Sequence, residues 1–462
     1  MALRVTFFGG AESVTGSNFL IEGKDGKVLI DCGLEQGRDA DMEAMYAPFP
    51  YDASSIDALV ITHAHLDHIG RAPKLLKEGF TGKVYMTPPT RDLTELMLRD
   101  SAHIMGEDAR KRNIPPMFDE KDVDAFLELY VPTELHKEVP VAPGLSVCLR
   151  ATGHILGSAS VRVKDAEGTT IAVTGDIGNE PNPYLPDAEI VDDADALVME
   201  SVYGDRVHSH KGEERVTALR DSLKRAIERG GTILIPAFSI ERSQLMLYEI
   251  SNLMDAGELP RIPVFLDSPL AIKVTEVYEK WGKEYFRKGT EEEIKKEHSI
   301  FKFEGFAETL SREDSMDIDS VPGPKIVLAG AGMSHGGRIG RHEAKYLPDP
   351  KTTLFIVGYQ APGTPGRMLQ DGAPTIRIDN RDVKLRAHVE VFGGWSAHAD
   401  RDGLLEFAKA ALPRTRTFFI TLGEPSSARF LAQRIHDYLG GKAVVPTQGE
   451  VWEVSKTGIK KV

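Results

Sequence analysis

Cysteine is almost absent from this chain: Cys32 and Cys148 are the only two in 462 residues. One disulfide can be drawn, but so few thiols in so long a chain fit a reducing cytoplasm better than an oxidising compartment. No apolar run approaches the roughly 20 residues of a membrane-spanning helix, so no membrane partner is expected. The N-terminus, MALRVTFFGGAES, carries one early arginine and enters a strand-like pattern at once, without the apolar stretch of a signal peptide. Excess positive charge is missing too, since the net charge is −14. A protein that coats nucleic acid with a broad basic face usually has the opposite sign. Any nucleic-acid contact must therefore be local, in a cleft with metal ions, loop amides and a few arginines. That counts against a coating protein but not against a nuclease. Repeats and low-complexity segments are absent as well.

What is present is an ordinary globular composition, 41% hydrophobic and 27% charged. The length predicts two domains, one inserted in the other. Up to about residue 203 the pattern is strand-rich: LRVTFFGG, then NFLIEGKDGKVLIDCG as a hairpin with Asp25 and Gly26 at a turn that needs positive φ, then IDALVITHAH, GKVYMTP, LSVCLRATGH, SASVRVKD and TTIAVTGDIGN. From residue 204 the rhythm becomes alternating β and α units, which implies a parallel sheet flanked by helices. One of its helices, SIERSQLMLYEISNLM, is expected to start at a capping Ser239. From residue 386 the pattern returns to the first domain: VEVFGG, then RDGLLEFAKAAL, RTFFITLG and SARFLAQRIHDYLG. The domain reading is 1–203 and 386–462 around an insert at 204–385. The charged stretch 287–320 reads as surface.

The strongest chemical signal is Thr62-His63-Ala64-His65-Leu66-Asp67-His68, just after an apolar strand. In extended backbone His63 and His65 point to the same side and can grip one metal. Asp67 and His68 follow a turn and can reach a second. Imidazole with carboxylate suits zinc. Further ligand types end other strands: Asp31 in Val28-Leu29-Ile30-Asp31, His154 in Ala151-Thr152-Gly153-His154, and Asp176 in Val173-Thr174-Gly175-Asp176. A strand-end Asp taken alone is usually a turn or cap residue. Beside the HxHxDH run these positions are no longer independent, because a carboxylate can bridge two metals or orient a ligand from behind.

In this order Asp31, His63-x-His65-x-Asp67-His68, His154 and Asp176 resemble the metallo-β-lactamase superfamily. Glu200 in Met199-Glu200-Ser201-Val202-Tyr203-Gly204 and His398 in Gly394-Trp395-Ser396-Ala397-His398-Ala399-Asp400 resemble motifs of its nucleic-acid-processing β-CASP branch. The loops Gly330-Ala331-Gly332-Met333 and Gly358–Thr364 are similar to family segments. Relatives include ribonuclease J and the endonuclease subunit of the pre-mRNA cleavage factor. The resemblance covers nearly the whole chain. It implies an α/β fold: a metallo-β-lactamase αββα sandwich with an inserted parallel α/β (β-CASP) domain. It implies that His63, His65 and His154 hold one zinc, that Asp67 and His68 hold another, that Asp176 bridges, and that Asp31 supports from behind. One position departs. The family places a histidine before Gly-Glu as a ligand of the second zinc, and here Leu422 precedes Gly423-Glu424. Leucine cannot bind metal.

The chemistry follows from these residue types. Bound zinc lowers the pKa of its water to roughly 7, so hydroxide is present at neutral pH, and it neutralises charge developing on phosphate. A histidine charge-paired to a carboxylate can protonate the leaving oxygen; Glu200 and His398 are that pair, with Asp67 beside the reacting centre. Phosphate contacts are expected from Ser334 and Arg338 in Gly330–Arg338, from Thr364, and from Ser396. The first loop lacks the Gly-Lys-Ser/Thr ending of a nucleoside-triphosphate loop. The resulting expectation is a zinc-dependent phosphodiesterase cleaving single-stranded RNA, endo- or exonucleolytically, in RNA processing or decay. Alternatives are a DNA nuclease of the same branch, a different metallo-β-lactamase hydrolase, and an inactive RNA-binding scaffold; a homodimer is compatible with each. The scaffold reading is weakened because all four HxHxDH ligand residues are present.

Elemental analysis of the dialysed protein should find up to two zinc ions per chain, the second substoichiometric because Leu422 supplies no ligand. Two tightly retained zincs would show that the missing histidine does not matter, and no metal after zinc loading would remove the hydrolase reading.

Overall fold

The computed structural model describes residues 2–36, 45–290, 299–361, 363–378 and 381–462. Part of the charged stretch, 291–298, and Pro362 of the second glycine loop lie outside them. The chain divides into two compact units, Met1–Val207 with His398–Val462, and His208–Ala397.

The first unit is a two-sheet sandwich. Alternating apolar residues give each strand a face to bury, and two such faces meet. One sheet runs Gly458–Lys461, Val451–Ser455, Leu3–Gly9, Asn18–Glu22, Lys27–Ile30, Ala58–Val60, Lys83–Met86 and Tyr130–Pro132. The other runs Ala443–Val444, Thr417–Thr421, Ala196–Glu200, Thr170–Val173, Ala159–Asp165, Leu145–Ala151 and Val139–Ala142. The C-terminal segment thus adds a hairpin to the first sheet and two strands to the second. Between the sheets Phe7, Phe19, Val28 and Val60 pack with Val147, Val161, Val173, Val198 and Phe419. The ring of Phe7 stands 5.8 Å from Phe19 and 5.3 Å from Phe419, which locks the two faces together. Outside the second sheet, helices Arg401–Ala411 and Pro425–Leu439 bury Leu404, Phe407, Leu431 and Ile435 against Leu197, Met199, Phe418 and Ile420. Helices Pro88–Arg112 and Glu120–Glu128 connect parallel strands of the first sheet.

The second unit is a six-stranded parallel sheet in the order Phe306–Glu308, Val264–Asp267, Lys325–Ala329, Thr232–Pro236, Thr353–Ile356, His388–Val391. Helices such as Arg242–Asp255 and Gly337–Tyr346 connect its strands.

Three local readings differ from the sequence expectation. In the hairpin, Gly26 does not adopt positive φ. It is glycine because the backbone at 142–143 passes close: a Cβ there would stand 2.6 Å from the Pro143 carbonyl oxygen. The helix at 242 starts three residues after Ser239, and its first position follows Glu241 at φ +64 with no side-chain cap. The strand His388–Val391 pairs in parallel with Thr353–Ile356, so this stretch completes the insert's sheet.

Inside the second unit Glu343 is fully buried, with Ser334 Oγ donating to one carboxylate oxygen at 2.5 Å. Burial raises its carboxyl from the ordinary range to about 7, against the pull of Ser334. A group raised on folding stabilises fully below its unfolded pKa, and this contribution is lost as pH rises through the folded value. Between about pH 5 and pH 8 the parent should therefore lose on the order of 3 kcal/mol relative to Glu343→Gln. Denaturant titrations of both proteins at the two pH values check this; parallel pH profiles would show that Glu343 is ionised at no cost.

Candidate metal centre

Asp31 sits just past the end of the strand Lys27–Ile30, in left-handed backbone at φ +59 and without solvent exposure. Its carboxylate accepts from Thr62 N (2.8 Å), Thr62 Oγ1 (2.9 Å) and Ser17 Oγ (2.9 Å), and faces His68 Nδ1 at 2.7 Å. A non-glycine residue in this conformation costs about 1–3 kcal/mol and persists only where its surroundings over-determine it. Here they do. Thr62 Oγ1 spends its one hydrogen on Asp31, so it must accept from His63 Nδ1, 3.1 Å away. Both histidines are thereby oriented with Nε2 pointing away from Asp31.

Those nitrogens meet others. His63 Nε2 and His154 Nε2 each lie 3.1 Å from His65 Nδ1 and 3.3 Å from Asp176 Oδ2. His68 Nε2 lies 3.4 Å from Asp176 Oδ1 and 3.8 Å from Asp67 Oδ2. The two oxygens of Asp176 thus face two sets of ligand atoms. Glycines make the approach feasible. Gly33 passes so close to the Asp67 carbonyl that no Cβ fits, and Gly175 has φ +58 with Thr62 pressed against it. Ser158 Oγ accepts from the backbone of His154 at 3.1 Å and so shapes its loop.

Glu200 ends the strand Ala196–Glu200 and is fully buried. Its carboxylate accepts from Ile177 N at 2.7 Å and Val202 N at 3.2 Å, and faces His398 Nδ1 at 3.3 Å. His398 Nδ1 is also 3.9 Å from Asp176, and its ring lies 4.5 Å from the His154 ring. Ligand-capable atoms cluster in two groups that share Asp176: one with His63, His65 and His154, the other with Glu200 and His398.

The electrostatics suit a cation. Burial pushes the imidazoles of His63, His65 and His154 down, so they are neutral and offer lone pairs. Burial disfavours the charge on Asp176, but the surrounding histidines hold its carboxyl well below the usual range. Burial pushes His398 down too, yet Glu200 and Asp176 push it further up, to about 9. Zinc bound tetrahedrally at about 2.0–2.1 Å spaces its ligand atoms roughly 3.3 Å apart, close to the separations found. Among the described residues, buried His68 Nε2 has no hydrogen-bond partner, an orphan a metal would satisfy. The donor set fits zinc.

Ser334, Arg338, Thr364 and Ser396 belong to the second unit. Arg338 donates to Asp267 Oδ1 (2.7 Å), Thr309 O (2.8 Å) and Leu310 O (2.6 Å). Ser334 holds Glu343, and Thr364 Oγ1 caps the helix Pro365–Gln370. Leu422, expected to face the second metal, has φ +49 and belongs to the core between the sheets. Its Cδ2 packs where a Cβ on Gly10 would stand 2.8 Å away. Sequence reading assigned no role to Ser17, Thr62 or Ser158; Thr62 and Ser158 lie inside the motifs, but a hydroxyl carries no signal of its own.

Three family models match: Metallo-beta-lactamase superfamily over 14–206, Beta-Casp domain over 243–369, and Zn-dependent metallo-hydrolase RNA specificity domain over 382–446. Ribonuclease TTHA0252 of Thermus thermophilus is 38% identical over 405 residues, which is 88% of this chain and 90% of that one. Transcription termination factor FttA of Methanosarcina mazei is 32% identical over 95% of this chain and 69% of its own length. The FttA of Pyrococcus horikoshii is 30% identical over the same shares. A crystal structure of a protein of unknown function from Enterococcus faecalis matches 98% of this chain and all of its own with a TM-score of 0.58 at 12% identity, a likeness of fold. On these matches the chain belongs to the metallo-β-lactamase superfamily, in its Beta-Casp branch.

Proposed function

We propose that this protein is a zinc-dependent ribonuclease that hydrolyses phosphodiester bonds in single-stranded RNA. The observation that carries this reading is the convergence of His63, His65, His154 and Asp176 around one point, with Asp67 and His68 on the other side of Asp176. The similarity to a named ribonuclease supports RNA as the substrate. Two free, buried cysteines support a reducing, cytoplasmic setting.

In this reading His63, His65 and His154 would hold one zinc, Asp67 and His68 would hold a second, and Asp176 would serve both. Zinc held there would supply a hydrolytic nucleophile at neutral pH and offset the charge developing on phosphate. Asp31 and Thr62 fix the ring orientations of His63 and His68. Glu200 fixes His398 through Nδ1, which leaves Nε2 as the atom that hands a proton to the leaving oxygen. Ser334, Arg338, Thr364 and Ser396 remain the proposed phosphate contacts; the groups of the first three also bond within the second unit.

The decisive assay is the zinc-loaded protein on labelled single-stranded RNA and DNA side by side. RNA should be cut faster; a large preference for DNA would promote the DNA-nuclease alternative that Leu422 leaves open. His65→Ala or Asp67→Ala should abolish turnover with the fold retained, because His65 caps the short helix Leu66–Ile69 and Asp67 lies in its first turn, outside the core between the sheets. Asp31→Ala should weaken zinc retention or activity by about 10–100-fold. Unchanged turnover in all three variants would place the chemistry elsewhere. In metal-free protein Leu422→His should cost about 1–3 kcal/mol, the penalty of a polar ring in an apolar pocket. If zinc restores that loss in thermal melts, position 422 reaches the second metal; we expect no restoration, because Leu422 packs into the core.

A further inference from the structure

Away from the histidine centre, three side chains stand in a row on the helix Pro425–Leu439. Phe430, Arg434 and Tyr438 are four residues apart, so they share one face. The Arg434 guanidinium lies 4.9 Å from the centre of the Phe430 ring and 4.7 Å from that of Tyr438. One cation is thus held between two aromatic rings. Tyr438 is 68% exposed, the highest exposure of any large hydrophobic side chain among the described residues. A ring so placed adds little to the core; what it offers is a π face beside a positive charge.

The surrounding charges favour an anionic occupant. The helix carries Arg429 and Arg434 against a single carboxylate, Asp437. That carboxylate is engaged by His436 Nδ1 at 2.9 Å and Gln433 Nε2 at 2.8 Å. Arg434 makes no ion pair among the described residues. On a chain of net charge −14 this is a local cationic strip. The helix that carries it follows a loop packed against the neighbour of Glu200. The residue before the helix cap, Gly423, packs so tightly on Ser201, the neighbour of Glu200, that a Cβ would stand 2.2 Å from Ser201 Oγ. At about 1.5 Å per residue the row extends roughly 9 to 20 Å from that end of the helix.

We propose that Phe430, Arg434 and Tyr438 form a stacking platform that holds a second stretch of single-stranded RNA outside the hydrolytic centre. The proposal rests on RNA being the substrate. Every base has a π face, so such a platform tolerates any sequence, and the arginine adds a cation–π and phosphate contact. Short substrates do not reach it; long ones gain affinity from it.

The test uses the full zinc-loaded chain with a long oligouridylate and a trinucleotide. Tyr438→Ala and Arg434→Ala should each weaken binding of the long RNA about tenfold, with Tyr438→Phe close to the parent. Turnover of the trinucleotide and the melting temperature should not change. In Tyr438→Trp the new indole should be quenched by the oligouridylate even without metal. That readout separates this proposal from the ribonuclease reading. Quenching without cleavage would sink the ribonuclease and leave the platform. Cleavage with equal affinities for parent and alanine variants would sink the platform alone. A change confined to self-association of the variants would assign the row to a protein partner and overturn the proposal.

Discussion

The buried carboxylate of Asp31 is the constraint on which the centre depends. It carries left-handed strain of about 1–3 kcal/mol and a desolvation penalty of several kcal/mol. Its hydrogen bonds to Ser17, Thr62 and His68, at about 1.5–3 kcal/mol each for bonds to a charged group, do little more than offset those costs. The arrangement is therefore poor as a stability device and good as a positioning one. It ties the loop before Asn18–Glu22, the end of Ala58–Val60 and the short helix Leu66–Ile69 to a single anion. From that tie follow the ring orientations of His63 and His68, and from those the convergence on Asp176.

The rest of the first unit keeps this point stationary. The candidate ligands follow the ends of strands Ala58–Val60, Leu145–Ala151 and Thr170–Val173, and Glu200 ends Ala196–Glu200. Below them the two sheets are close-packed through Phe7, Phe19 and Phe419, so a shift of one loop is resisted by both faces. Leu422 lies where core and centre meet. Its side chain joins the core, while its backbone N–H donates to Gly10 O and its carbonyl accepts from Ser201 N. The position thus holds the loop beside Glu200 through its main chain, whatever its side chain.

How much of this was legible in sequence depended on range. His63, His65, Asp67 and His68 are neighbours in the chain, so spacing alone places them together. Asp31, His154, Asp176, Glu200 and His398 are separated by up to hundreds of positions, and only a family pattern could group them. Ser17, Thr62 and Ser158 were invisible as functional residues, because serine and threonine occur everywhere and their role exists only through the distance to a partner. Glycine misled at position 26, where the demand is space for a passing backbone rather than positive φ. The strand His388–Val391 carries no mark of which sheet it joins; pairing with Thr353–Ile356 is a property of the assembled insert.

Charge decides how such a centre can accept a polyanion. Asp31, Asp67, Asp176 and Glu200 bring four carboxylates within a few ångströms, while His63, His65 and His154 are held neutral. Left to themselves these groups repel phosphate. In the proposed reading each bound dication, together with a protonated His398, moves the sum from negative toward positive. In a buried, low-dielectric setting that sign matters more than surface charge, because fields there are weakly screened. A chain of net charge −14 has no broad basic surface to compensate. The second metal position therefore bears on substrate entry as much as on chemistry.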